Sequence, residues 1–226
     1  MTDTEERGVV RRGRGRPRVI DRDQIVTAAR GLDPETLTMQ SLADELGIPR
    51  KTLHYHVGDR EELLRLAAVD TLKSNLTDTP FERSEDWREA VRTFASHTRR
   101  SVIAAGAWMN YVPFDGREDL LSIGPAETAL EALVAAGFDV PTAARALGLA
   151  AEFSLSSARD AILRQEQGAH PQRIFLGELL EQTAEGEYTV LKQLNDVDWD
   201  EFGSEQQFEF DLKILVYGLE RLLAGS

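Results

Sequence analysis

The chain has 226 residues, 42% of them hydrophobic, enough to bury a sizeable core as one domain or as a small domain joined to a larger one. It has no cysteine, which excludes disulfide scaffolds, thiolate metal sites and cysteine nucleophiles. The net charge of −13 argues against nucleic acid as a partner until its distribution is read: residues 1–60 carry 11 Lys/Arg against 10 Asp/Glu, and the rest carry 15 against 29.

Residues 1–20 are rich in Gly and Arg, lack periodicity and read as a flexible basic arm. Arg7, Arg11, Arg12, Arg14, Arg16 and Arg18 fall in a stretch without an acid, so a polyanion is drawn to one end of the molecule. This polar terminus does not look like a secretory signal, and no apolar run approaches the ~18 residues of a membrane span. No membrane partner is expected, and the expected compartment is the cytoplasm, which the absence of cysteine fits. Arg14-Gly15-Arg16-Pro17-Arg18 resembles an AT-hook, in which Gly lets the backbone approach a narrow minor groove and Pro keeps the chain extended. A solvated tail reads equally well from these residues.

Order is expected from Asp21, where Asp21-x-x-Gln24 has the capping-box spacing ahead of Ile25, Val26 and Ala29. Gly31 to Thr36 interrupts this helix. Thr38 then caps a short helix from Met39 to Leu46, Gly47-Ile48-Pro49 turns the chain, and Arg50 to His56 forms a third. Gly58 ends it, and Asp59-x-x-Glu62 opens a longer helix to about Leu76. Beyond lie candidate helices over 84–105, 108–111, 124–136, 142–167, part of 175–195, and 205–223, broken by Pro and Gly. No strand alternation persists, so the fold expected is all-α.

The segment Thr38 to Val57, TMQSLADELGIPRKTLHYHV, reads as a helix-turn-helix. Met39, Leu42 and Leu46 supply one inner face, Ala43 is small at the crossing, Ile48 fills the corner, and Leu53 and Val57 supply the other face. The outward positions are Arg50, Lys51, Thr52, His54, Tyr55 and His56, all able to donate or stack and none acidic. That composition suits a helix meeting acceptor-rich base edges and phosphates. Tyr55 reads equally as core or as contact. His54 and His56, two apart, face different ways and do not chelate one metal, so no metal site is expected.

SLADELGIPRKTLHYHVGDREELL resembles the "ALAxxLGV…TLYxHFxxKxxLL" hallmark of the TetR family of repressors, whose head spans the equivalent of Asp21 to Leu76. The resemblance implies an N-terminal three-helix DNA-binding domain (21–66) behind the arm (1–20) and a larger helical effector-binding and dimerisation domain (67–226). It implies base and phosphate contacts at Gln40, Arg50, Lys51, Thr52, His54, Tyr55, His56 and Arg60, with Thr38 capping near a phosphate; Arg14, Arg16 and Arg18 are the arm's candidates. The body is similar to that of the tetracycline repressors through Leu63 to Trp87, Arg99-Arg100, Gly106-Ala107, Ala136-Gly137-Phe138 and Tyr217-Gly218-Leu219-Glu220-Arg221.

At the positions equivalent to the family's drug-binding His and Asn and its magnesium-binding His, this chain has Leu76, Phe94 and Asn110, so binding of magnesium-tetracycline is not expected. The resemblance points instead to an apolar or aromatic effector among Leu76, Phe94, Trp108, Tyr111 and Phe153, with His97, Thr98, Asn110 and Ser154 as polar groups. The implied partners are an operator duplex, that effector and a second copy of the chain, paired through the apolar stripes of 142–167 and 205–223; no cofactor is expected. An architectural DNA binder without an effector is the first alternative. An enzyme ranks last, because the chain has neither a Gly-rich phosphate loop nor an HExxH pattern, and none of its four histidines sits by an obvious nucleophile.

Overall fold

A computed structural model describes residues 20–113, 123–167, 171–184, 186–193 and 204–225, and every regular element among them is helical. Helix α1 (Arg22–Arg30) starts where the sequence predicts: Gln24 N–H donates to Asp21 Oδ1 at 2.8 Å and Asp21 N–H returns to Gln24 Oε1. Helix α2 (Met39–Leu46) is opened by Thr38, whose hydroxyl accepts from Ser41 N–H at 3.0 Å. It ends at Gly47, left-handed at φ 65°, a conformation cheap only for glycine, and Ile48 N–H bonds back to Ala43 O.

Helix α3 (Arg50–Val57) follows after the three-residue turn Gly47-Ile48-Pro49 and buries Leu53 and Val57. Gly58, at φ 73° and ψ −131°, turns the chain into α4 (Arg60–Asp78), capped by Asp59, which accepts from Glu62 N–H at 2.9 Å. The reciprocal half of this cap is missing. Glu62 instead receives two bonds from Arg65 and lies near Arg22, and these cations hold its carboxyl below the usual range.

The body contains α5 (Trp87–Ala105), a 3₁₀ turn at Gly106–Tyr111, α6 (Ile123–Ala135), α7 (Val140–Gln167), α8 (Pro171–Glu181), α9 (Thr189–Gln193) and α10 (Glu205–Ala224). α7 begins two residues earlier than the spacing predicts, since Pro141 lies in the first turn, where a missing N–H leaves no helical bond unmade. The stretch expected to be partly helical around 175–195 divides into α8 and α9.

Two apolar clusters organise these helices. The first joins the head (Ile25, Leu42, Leu53, Val57) to α4 (Leu63, Ala67, Leu72, Leu76) and runs on into the body through Val102, Trp108, Val112 and Ala158. The second, built from α5, α6, α7 and α10, holds Trp87, Phe94, Leu133, Phe138, Leu147, Phe208 and Leu212. The division expected at residue 66 therefore falls inside α4, a single unbroken helix whose apolar face serves both parts. Among the described residues no helix is long and apolar enough to cross a membrane.

Candidate nucleic-acid interface and body cavity

Burying Leu53 and Val57 turns the remaining side chains of α3 outward. Arg50, Lys51, His54 and Tyr55 are exposed, with Thr52 and His56 half-buried beside them. Tyr55 is 85% exposed, which resolves the choice left by the sequence in favour of the surface, and its ring meets His56 edge-on at 5.3 Å. Pro49 supplies no side-chain cap, so the first N–H groups of α3 have no side-chain acceptor at the end that carries Arg50 and Lys51. His54 Nδ1–H donates to Gly58 O at 2.5 Å, which fixes the ring against the start of α4. Gln40, exposed on α2, donates to Asp44 Oδ1, and Thr38 is occupied as a cap.

Arg60, expected at a phosphate, is half-buried and bonded within the chain. Its Nε donates to Leu37 O at 2.7 Å and its Nη2 to Pro34 O and Glu35 O, tying the start of α4 to the loop ahead of α2. Those carbonyls are 23 to 26 residues away in sequence, a nonlocal demand that the motif does not reveal. Arg60 positions the recognition unit. Arg14, Arg16 and Arg18 lie outside the described residues.

The expected pocket residues are placed differently from what their aromatic character suggested. Leu76, Trp108 and Tyr111 belong to the first apolar cluster and Phe94 and Phe153 to the second. Thr98 and Ser154 turn their hydroxyls back onto their own helices, donating to Phe94 O and Ala150 O. His97 is fully buried, its Nε2–H donating to Leu76 O at 3.0 Å, its ring edge-on to Phe81 at 5.3 Å, and its Nδ1 without a partner among the described residues. These side chains close the core because long apolar groups at helical spacing fill the space between packed helices. Asn110 alone of the nine lines a body cavity of ≈ 520 Å³, bounded by Val102, Gly106, Met109, Val112, Leu155, Ser156, Arg159, Ile162 and Leu163. Arg159 and Ser156 carry no motif, and the sequence reading missed them.

The link from this region to the head is polar as well as apolar. His97 holds Leu76 O, and Ser101 Oγ donates to Asn75 O, so the last turn of α4 is pinned on α5. Arg99, buried on α5, donates to Ser157 on α7, pairs with Glu205 and lies over the Phe208 ring on α10. Burial holds the His97 imidazole below its ordinary pKa of 6.5, keeping it neutral. The unfolded chain takes up the proton at about 6.5, so His97 supports folding fully above that value and progressively less as pH falls toward its folded pKa. We expect thermal melts to lose stability below about pH 6.5, and His97→Phe to flatten that loss. An unchanged pH dependence in the variant would remove His97 as its source.

A groove of ≈ 630 Å³ runs between α7 and α10, lined by Ala146, Leu149, Ile214, Leu215, Gly218, Leu219 and Leu222 with Thr142 and Arg145 at its edge. Leu149 and Leu222 are each more than half exposed there, and Tyr217 is 64% exposed beside them. Among the described residues, no group of His, Asp or Glu is arranged to hold a metal ion.

Residues 79–223 match a family described as tetracyclin repressor-like, C-terminal domain. A curated relative, the class D tetracycline repressor protein of Escherichia coli, is 28% identical over 152 residues, covering 66% of this chain and 67% of the relative. Apo ActR of Streptomyces coelicolor is 26% identical, with a TM-score of 0.64 over 91% of this chain and 98% of that one. ActR in complex with actinorhodin is 25% identical, with a TM-score of 0.63 over 92% and 98%.

Proposed function

The chain belongs to the tetracycline-repressor-like (TetR) family, whose members are ligand-responsive DNA-binding repressors, and from that premise we propose that it binds a palindromic operator as a homodimer and is released by a small effector. The observation that carries this reading is the outward face of α3, where Arg50, Lys51, His54 and Tyr55 stand exposed while Leu53 and Val57 anchor the helix. Two such faces held a fixed distance apart by a twofold body would read two half-sites. The exposed apolar groove between α7 and α10 supports the second copy, since continuous exposed apolar surface marks an interaction face.

The effector is read as largely apolar or aromatic, in keeping with the apolar body cavity and with the complex that ActR forms with actinorhodin. Release would follow from a higher effector affinity in one of two dimer states, the one whose heads do not match the operator. The continuous apolar cluster from α3 through α4 to Val102 and Val112 offers a route for that change. Magnesium-tetracycline is not the effector in this reading: Leu76 and Phe94 are buried apolar side chains, and a chelated polar drug would leave its own groups unpaired against them at about 1–3 kcal/mol each.

The test is a gel-shift titration against the DNA upstream of the chain's own gene. Cooperative binding of a dimer at low salt is expected, unaffected by magnesium and tetracycline. A protein that never shifts this DNA is not this regulator, and submicromolar binding of the drug would reverse the effector reading.

A further inference from the structure

We propose that the cavity between the end of α5, the 3₁₀ turn and α7 takes an amphipathic organic anion, an apolar or aromatic body bearing a carboxylate or comparable acid, with Arg159 as the anion's anchor. The inference rests on the effector reading above and gives that effector a chemical class.

The cavity's size falls in the range of small-molecule sites, and its walls are mostly apolar. Its polar groups sit together: Asn110 on the 3₁₀ turn, and Ser156 and Arg159 one helical turn apart on α7. Arg159 is exposed, which places a cation where a ligand's acid can remain partly solvated while its body enters the cavity.

Among the described residues Arg159 is also without a local neutralising partner. On α7 its neighbours three and four residues away are Leu155, Ser156, Ile162 and Leu163, so no carboxylate lies within helical reach. Among the described residues it makes no ion pair, whereas Arg83, Arg88 and Arg99 of the same body are each held by a glutamate. Beyond residue 60 the chain carries 15 Lys/Arg against 29 Asp/Glu, so an anion preference at this cavity would come from the local guanidinium. Its planar fork can hold a carboxylate, sulfonate or phosphate through two parallel N–H bonds.

The position matters for regulation. Val102 and Val112 line the cavity and belong to the same apolar cluster as Leu53 of the recognition helix and Leu72 of α4. A ligand seated there presses on the cluster that carries the head.

The experiment uses two fluorescent probes with the same aromatic body, anionic 1-anilinonaphthalene-8-sulfonate and neutral N-phenyl-1-naphthylamine, titrated into the full chain. The anion should bind roughly 10-fold or more tightly than the neutral probe, as expected of a charge-assisted contact. Arg159→Gln should erase that preference and leave neutral binding unchanged; Ser156→Trp should fill the cavity and remove both. The anion should also release promoter DNA from the parent protein and fail to do so from Arg159→Gln. Equal binding of the two probes, with Ser156→Trp abolishing both, would overturn the anion assignment while leaving the effector cavity in place. Binding indifferent to Ser156→Trp would overturn the site itself. A protein that binds the anion as described but never shifts promoter DNA would sink the repressor reading alone.

Discussion

Replacing Arg50 and Lys51 together by alanine should leave the protein folded and remove operator binding from the measurable range. Both side chains are exposed in the first turn of α3, and neither makes an ion pair among the described residues, so the folded state loses little. Their placement even opposes the local electrostatics: the first turn of a helix favours acids, and α3 has none there. A sequence that puts two cations at the positive end of a helix accepts a small local cost, which a polyanion bound at the exposed end of α3 would offset. Removing a side chain that meets a base edge or phosphate weakens binding by about 1–3 kcal/mol, and a dimer carries each such side chain in both heads, so the double variant should bind roughly a thousandfold more weakly or worse. The dependence of log affinity on log salt should flatten by about one per phosphate interaction removed. A contrast comes from Leu53→Ala, which empties part of the head's core and should reduce binding through a melting temperature that falls as well. An Arg50/Lys51 variant that keeps full affinity and an unchanged salt slope would show that α3 does not face DNA.

Much of the head was legible because its determinants are local. The Asp21–Gln24 box, the Thr38 cap, the left-handed Gly47 and the Asp59 cap each act within four residues, and each fixed a helix end to within a residue. The exposure of Tyr55 was not legible, since an aromatic at that position faces solvent or core according to what a distant segment does. The structural bonds of Arg60 were hidden for the same reason: its partners are carbonyls of the loop before α2, and no local rule pairs them. In the body, Phe94 and Phe153 have the spacing of either a core or a cavity wall; Phe94 is buried in the second cluster, and Phe153, half-buried, packs against Phe208 of α10. The cavity lies instead where α5 ends at Gly106 and the chain tightens into a 3₁₀ turn, a change of helix type that the apolar pattern does not announce. Arg159 left one trace in the sequence, a cation whose helical neighbours are Leu, Ser and Ile.

Leu149→Glu on α7 should convert the protein to a monomer, and Leu222→Glu on α10 should do the same. The two leucines line one groove, each more than half exposed in the single chain, so neither substitution disturbs the packed clusters from which the fold draws its stability. In a twofold interface every residue occurs twice, so one substitution introduces two unpaired carboxylates into the apolar contact. An uncompensated buried charge costs on the order of 3–5 kcal/mol, and two of them exceed what an interface of ordinary size retains at micromolar protein. Sedimentation should therefore report single chains, with helix content and head stability preserved, because the head draws on the first cluster and the groove on the second. Operator affinity should fall with dimerisation, since the second head then loses the effective concentration supplied by the first. Half-site DNA should still bind weakly, at an affinity equal to that of the parent on a half-site. A monomer that held the full palindrome as tightly as the parent would mean that one α3 carries all the recognition, and the groove between α7 and α10 would then need a different partner.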